Sequence, residues 1–371
     1  MHRIWKLPET EESTQQRPGN CPRCGSKRIY RHSRLRRRVI DPRVQAVQVL
    51  RFRCEDCRKL VRVHPAGVVP QQQQSRRLQV LSALCYALGL SYDKASQLLE
   101  LLGCGVVKST IWRNVQALGE AVGRAWHPQG RCPVLGVDET QLKIKGQGIT
   151  VGFVTDPRCG QVVALEVLAS REAAELERWL GGLLSHFGCE VVVTDELESY
   201  KPALDALGRE HQLCLAHWRK ALALRLKRLP GYPKEKRLLR EALRELDRPA
   251  LHAVRFLHRQ FAQASPPKPG EHQTPAYALR MLTLDVLENW RRLTCYQRQS
   301  KGLDQLARTV PRDYEVPATN NATENSIGRA IKVRAKLMRG FKALPAALRT
   351  TLVVAGVGGV LAGLNLQRLL A

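Results

Sequence analysis

Apolar residues recur along this chain in two rhythms, and the change of rhythm marks out its parts. From about 75 to 127 they return every three or four residues, as on the inner face of a helix. Ala95, Leu98, Leu99 and Leu102 share one such face. Ile111, Val115, Leu118 and Val122 share a second, at spacings of four, three and four. "GCGVVK" between them reads as a turn, and Ser109 as the N-cap of the second helix. That is helix-turn-helix rhythm. The outer face near the start of the second helix carries Thr110, Trp112, Arg113 and Asn114. These are groove-reading residue types at the helix end that enters DNA. Arg113 and Asn114 are therefore expected to touch DNA.

From 133 to 218 the pattern turns to strands alternating with helices. "CPVLGVDETQLKI" reads as a long strand with Asp138 after an apolar run. "GITVGFVTDPRCGQVVALEVLAS" reads as two antiparallel strands joined by a turn at Asp156–Gly160. Ser170 can cap the helix that follows. "EVVVTD" is continuously apolar up to Asp195, as a buried strand would be. A short helix, a short strand and another helix complete the order β-β-β-α-β-α-β-α. This predicts an α/β fold with a ribonuclease H-like mixed sheet, in which the first and fourth strands lie side by side. Asp138 and Asp195 would then face each other across one strand gap, roughly 5 Å. Two such carboxylates repel, and a cation between them resolves the repulsion. Mg²⁺ prefers oxygen ligands of this kind. Each acid also has an ordinary reading: Asp195 as a helix N-cap, and Glu139, beside Asp138, as a surface residue or as the functional acid itself.

The remaining segments fill out the plan. Residues 1–66 are basic and Cys-rich, and "VVPQQQQSRR" reads as a linker to the helical domain at 75–127. The catalytic core begins at 133–218. A helical insertion follows at 219–310, broken by "SPPKPGEHQTP". Residues 311–371 would return to the core with two helical segments. The apolar run "LVVAGVGGVLAGL" is too short and Gly-rich to span a bilayer easily, and suits a packed core helix. No membrane association is expected.

Composition sharpens the choice of partner. Of 371 residues, 60 are Lys or Arg and 33 Asp or Glu, for a formal charge of +27. Such an excess favours polyanions, above all double-stranded DNA. The apolar fraction of 44% excludes wholesale disorder. Eleven cysteines, mostly scattered, fit a reducing cytoplasm, at the nucleoid, better than a disulfide framework. Cys21, Cys24, Cys54 and Cys57 form two C-x-x-C pairs flanking a strand-rich segment, which suits a structural Zn²⁺ ribbon. Arg34, Arg36, Arg37 and Arg38 beside it would meet the DNA backbone.

The last informative stretch is "PATNNATENSIGRAIKVRAKLMRGFKA". Asn321 and Glu324 fit a capping pattern, Asn at the cap and Glu at N3. On an ideal helix Arg329, Lys332, Lys336 and Arg339 make a basic stripe, with Glu324 at its border. These four cations would hold a DNA backbone beside the acid.

Asp138 in "GVDET", Asp195 in "VTD", Cys214 and His217 in "CLAH", and Glu324 in "TNNATENSIG" together resemble the DDE transposases of bacterial insertion sequences. The C-x-x-H after the second Asp is similar to the signature of Mutator-like and related branches. The resemblance implies that Asp138, Asp195 and Glu324 are catalytic and hold two Mg²⁺ (or Mn²⁺) ions. It gives Cys214 and His217 a structural or DNA-end role. It implies cleavage at element ends, strand transfer into target DNA, and a homodimer or higher oligomer on DNA. The alternatives are a domesticated, non-catalytic DNA-binding regulator and a ribonuclease H-like structure-specific nuclease.

Overall fold

The structure is a computed structural model that describes residues 6–300, 315–337 and 340–370. The chain divides into two compact units, Met1–His127 with Arg334–Ala371, and Pro128–Val333. The expected grouping of 311–371 into one catalytic segment therefore divides after Val333.

In the first unit, β1 (Ile29–Arg38), β2 (Ala46–Cys54) and β3 (Leu60–Val63) form an antiparallel sheet in that order. Ile29, Leu50 and Phe52 bury one face against Cys21 and Cys54. The segment read as a linker is tied down rather than free. The Ile40 N–H donates to the Gln73 carbonyl and its own carbonyl accepts the Ser75 N–H, and the Arg37 guanidinium donates to the carbonyls of Val69 and Gln72. Arg37 is thus used within the fold, while Arg34, Arg36 and Arg38 stay exposed. Asp41 gathers Thr10, Ser75 and Arg77 around one buried carboxylate. Burial alone would raise that acid, but the hydrogen bonds from Ser75, from the Arg43 N–H and from Thr10 outweigh it and hold it low.

Helices α1 (Arg76–Ala87), α2 (Tyr92–Leu101) and α3 (Lys108–Ala125) follow. Ile111, Val115, Leu118 and Val122 are buried as the periodicity requires. On α2 only Ala95 and Leu99 are; Leu98 and Leu102 remain exposed. The N-cap of α3 is Val107, not Ser109, and no side chain caps that helix. The apolar C-terminal run becomes α13 (Leu344–Gly358), which packs on α3, followed by α14 (Leu366–Leu370). Gly119 lets the two backbones meet: a Cβ there would lie 2.3 Å from the Arg349 carbonyl oxygen. Among the described residues no helix is long and apolar enough to cross a membrane.

The second unit is built on β4 (Val134–Ile144), β5 (Gln147–Asp156), β6 (Gln161–Val167), β7 (Val191–Thr194) and β8 (Glu210–Leu213). They form one sheet in the order β6-β5-β4-β7-β8. The first three strands pair antiparallel, and β7 and β8 join parallel to β4. This is the ribonuclease H-like mixed sheet, with the first and fourth strands adjacent. Helices α4 (Ala173–His186) and α5 (Tyr200–Ala206) connect its strands. Ser170 does not cap α4; the cap is Glu172, whose N–H the Ser170 hydroxyl accepts.

After α6 (Leu215–Arg228), the insertion supplies α7 (Pro233–Glu245), α8 (Arg248–Gln260), α9 (Pro275–Leu293) and α10 (Cys295–Ser300). It has its own core around Trp218, Leu239, Leu257 and Val286. The unit ends with α11 (Asn321–Ile327) and a π-helical turn at Gly328–Lys332, continued by α12 (Val333–Leu337).

Candidate active site and metal centres

Strand pairing decides which side chains meet. Gly136 on β4 pairs with Val193 on β7, and Thr194 on β7 pairs with Leu213 on β8. Continuing both registers places Asp138, Asp195 and Cys214 in one row across three strands. Neighbours in such a row lie roughly 4.8 Å apart and share a face of the sheet. Asp138 and Asp195 are half-buried and Cys214 is buried.

The same face receives α11. Gly136 makes this possible, since a Cβ there would lie 2.1 Å from Thr323 Oγ1 and 2.8 Å from Asn320 Oδ1. Thr155 Oγ1 is 2.6 Å from Thr323 Oγ1, and Asn320 Nδ2 donates to the Val137 carbonyl at 2.7 Å. Sequence reasoning missed these positioning residues. The "TNN" entry contained the signal, but only the sheet shows what Asn320 and Thr323 grip.

Alternation along β4 sends Glu139 to the opposite face. There its carboxylate accepts from Tyr200 and Arg171, the latter at 3.0 Å, and Trp179 packs over Gly152. Burial pushes Glu139 up despite Tyr200 and Arg171, with Asp195 adding to the rise. It is a buried, paired acid beneath the row rather than a surface residue.

Asp195 is not a helix N-cap. Its Oδ1 accepts the Leu197 N–H at 3.1 Å, and the cap of α5 is Ser199. Asp138 accepts the Glu139 N–H at 2.8 Å through Oδ1, and Lys332 Nζ at 2.7 Å through Oδ2. So Lys332, expected on the phosphate-binding stripe, is paired with an acid. Lys332 ends the π-helical turn Gly328–Lys332, which departs from the straight helix that the stripe assumed. Lys336 is exposed. Arg339 and the side chain of Arg329 lie outside the described residues.

Glu324 sits in the first turn of α11, whose N-cap is Asn320 rather than Asn321. The Asn320 side chain is committed to Val137, so no capping box forms. Glu324 instead faces His217, with Oε1 3.4 Å from Nδ1. Cys214, at the N-cap of α6, and His217 one turn on complete a group whose ligand atoms all lie within 4.8 Å of one another. Among the described residues the three acids Asp138, Asp195 and Glu324 form no such group. The acids of the row carry two carboxylates, and Glu324 stands at the Cys214 end of it.

The N-terminal cysteines form the other such group. Cys21 and Cys57 sulfurs are 3.5 Å apart, and those of Cys24 and Cys54 3.6 Å. A tetrahedron with Zn–S bonds of about 2.3 Å has edges near 3.8 Å, so the donors fit zinc. The Cys57 N–H aimed at its sulfur holds the Cys54 thiol down at about 7. Cys24 is pushed up to about 12; the Ser26 N–H favours its thiolate, but the Cys57 sulfur, burial and the Cys54 sulfur outweigh it. Thiolates gathered this closely repel one another, and a dication bound among them offsets that repulsion. None of the eleven cysteines is in a disulfide.

In the helix-turn-helix, Arg113 is exposed and leans on Ser109 and Thr110. Asn114 turns inward, donating to Gln74 Oε1 at 2.9 Å and Ser82 Oγ at 2.8 Å. Arg113 and Asn114 border a cleft of about 720 Å³, also lined by Gln72, Arg76 and Gln79.

Among solved structures, the chain is similar to the catalytic core domain of BIV integrase at 13% identity and TM-score 0.20, over 42% of this chain and 83% of that one. At that level the fold rests on the strand order and register given above. No curated protein matches significantly. A family profile described as "Transposase IS66 family" matches residues 75–348. Because that match spans most of the chain and takes in Asp138, Asp195, the C-x-x-H pair and Glu324, the chain belongs to the IS66 transposase family.

Proposed function

We propose that the protein cleaves phosphodiester bonds at the ends of its element and transfers the freed 3′ ends into target DNA. The observation that carries this reading is the row on the sheet. Asp138 lies on β4 and Asp195 directly follows its parallel neighbour β7, so the continued register sets them side by side, on the face that Asn320 and Thr323 of the Glu324 helix pack against. Asp138, Asp195 and Glu324 would hold a pair of Mg²⁺ (or Mn²⁺) ions. When bound, such ions activate the attacking oxygen and stabilise the leaving one in an in-line displacement at phosphorus.

The chain's own residues do the rest. Asn320, Thr323 and Thr155 fix the distance from α11 to the sheet, and hence where Glu324 can reach. Lys332 neutralises Asp138 until a cation or a phosphate competes for it. Arg34, Arg36, Arg38, Arg113 and Lys336 are exposed cations suited to DNA phosphates. The cysteine ribbon and the helix-turn-helix would recognise the element ends, with two copies of the chain on two ends.

The experiment is cleavage of a supercoiled donor carrying the element ends. Asp138→Asn and Asp195→Asn should abolish cleavage and strand transfer while end binding persists. Cleavage that survives both substitutions removes the row from the chemistry.

A further inference from the structure

The C-x-x-H pair has no assigned task in that mechanism, yet the fold gives it a third partner. We infer that Cys214, His217 and Glu324 form a site for a thiophilic divalent cation of the zinc class. The three side chains come from two distant parts of the chain: Cys214 is the N-cap of α6 and His217 lies on its first turn, while Glu324 lies on the first turn of α11. Residues three apart on a helical turn share a side, so the C-x-x-H spacing aims thiol and imidazole the same way.

The geometry is that of a ligand set. All three ligand atoms lie within 4.8 Å of one another. The 3.4 Å from His217 Nδ1 to Glu324 Oε1 is close to the edge of a tetrahedron with 2.0 Å bonds, about 3.3 Å. Neither of these two atoms makes a hydrogen bond, although both are shielded from solvent. Shielded polar atoms without hydrogen bonds are uncommon and call for a reason. Beside them, Cys214 Sγ accepts the Asn320 N–H at 3.2 Å, the kind of outer contact that orients a ligating sulfur.

The chemistry selects the ion. One thiolate, one carboxylate and one neutral imidazole carry two negative charges, matching a dication, and binding releases the Cys214 thiol proton to solvent. Thiolate and imidazole favour zinc, and Mg²⁺ favours oxygen. Three protein ligands leave a fourth position open, and the His217 and Glu324 side chains are both partly exposed. The site ties α11 to α6 through Glu324.

Glu324 is shared with the Mg²⁺ set proposed above, so the two ions compete for that carboxylate; zinc binding is read without DNA or cleavage, which keeps its outcome distinct from that of the transposase reading. The full chain is equilibrated with zinc, dialysed, and its metal counted by mass spectrometry. With two ligand groups in the fold, two zinc ions per chain are expected. Cys214→Ser and His217→Ala should each reduce the count to one, and Glu324→Gln should weaken the second ion at least tenfold. His217→Cys should retain it. With cobalt in place of zinc, the difference spectrum between wild type and Cys214→Ser should show a sulfur-to-cobalt charge-transfer band. His217 is half-exposed, so its variants test the site even where Cys214→Ser fails to fold. A single zinc in the wild type, or two that survive His217→Ala, overturns the inference.

Discussion

Lys332 Nζ lies 2.7 Å from Asp138 Oδ2, so a lysine side chain rests on the first acid of the row. It comes from the π-helical turn, and the pair is mostly shielded, with the Asp138 side chain 12% exposed. An ammonium in that place competes with any cation for the same carboxylate. Lys332→Met should therefore tighten divalent-cation binding about fivefold, a competing ion pair being worth on the order of 1 kcal/mol. Calorimetric titration of Mg²⁺ or Mn²⁺ checks this. Weaker binding in the variant would instead make Lys332 a support for the site.

Gly136 is the contact on which the placement of Glu324 depends. Gly136→Ala drives a methyl group into Thr323 Oγ1, and should cost about 1–3 kcal/mol of stability. The obstruction is a side chain, so Gly136→Ala with Thr323→Ala should recover part of the loss. Thermal unfolding of the two variants measures it; equal stabilities would show that the helix docks by other means.

Arg113 and Asn114 should part company on substitution. Asn114→Ala removes the donor to Gln74 Oε1 and to Ser82 Oγ and should lower stability by about 1–3 kcal/mol. Arg113→Ala should leave stability within about 0.5 kcal/mol and weaken DNA binding. Denaturant unfolding beside a DNA-binding titration separates them.

Cys21→Ser should remove one zinc per chain and, with it, the amide protection of β1–β3. The reason is that four sulfurs drawn together by two knuckles need the ion's charge to stay ionised. Hydrogen exchange reads the protection. Unchanged exchange would mean that the sheet holds without metal.

His211 gives the protein an acid-sensitive point under the row. Its Nε2–H donates to Thr194 Oγ1 at 2.8 Å, and its Nδ1 has no hydrogen-bond partner. Burial, with Arg292 and Lys201 adding, lowers it from 6.5 to about 3. The unfolded chain then takes up this proton first. The stability tied to neutral His211 is complete above pH 6.5 and is lost as pH falls from there towards about 3. His211→Gln should flatten the fall of stability over that window, measured by denaturant midpoints.

The sequence by itself determined the parts. Continuous valines had to be a buried strand, the three-and-four spacing on α3 had to face inward, and two C-x-x-C pairs had to gather sulfur. Local rules suffice there because each depends on a few neighbouring residues. Strand order was legible too, since few topologies accept three meandering strands followed by parallel ones. What only the tertiary structure decided was who meets whom. The wheel placed Lys332 on a phosphate stripe, but a π turn and the register of β4 put it on Asp138. Asn320 looked like a neighbour of a cap and became the clamp to Val137. Cys214 and His217 were legible as a C-x-x-H pair, and only the docking of α11 brings Glu324 beside them. Such partnerships join residues over a hundred positions apart, and depend on register, on a missing Cβ at Gly136 and on one irregular turn. Periodicity within a segment carries no information about any of these.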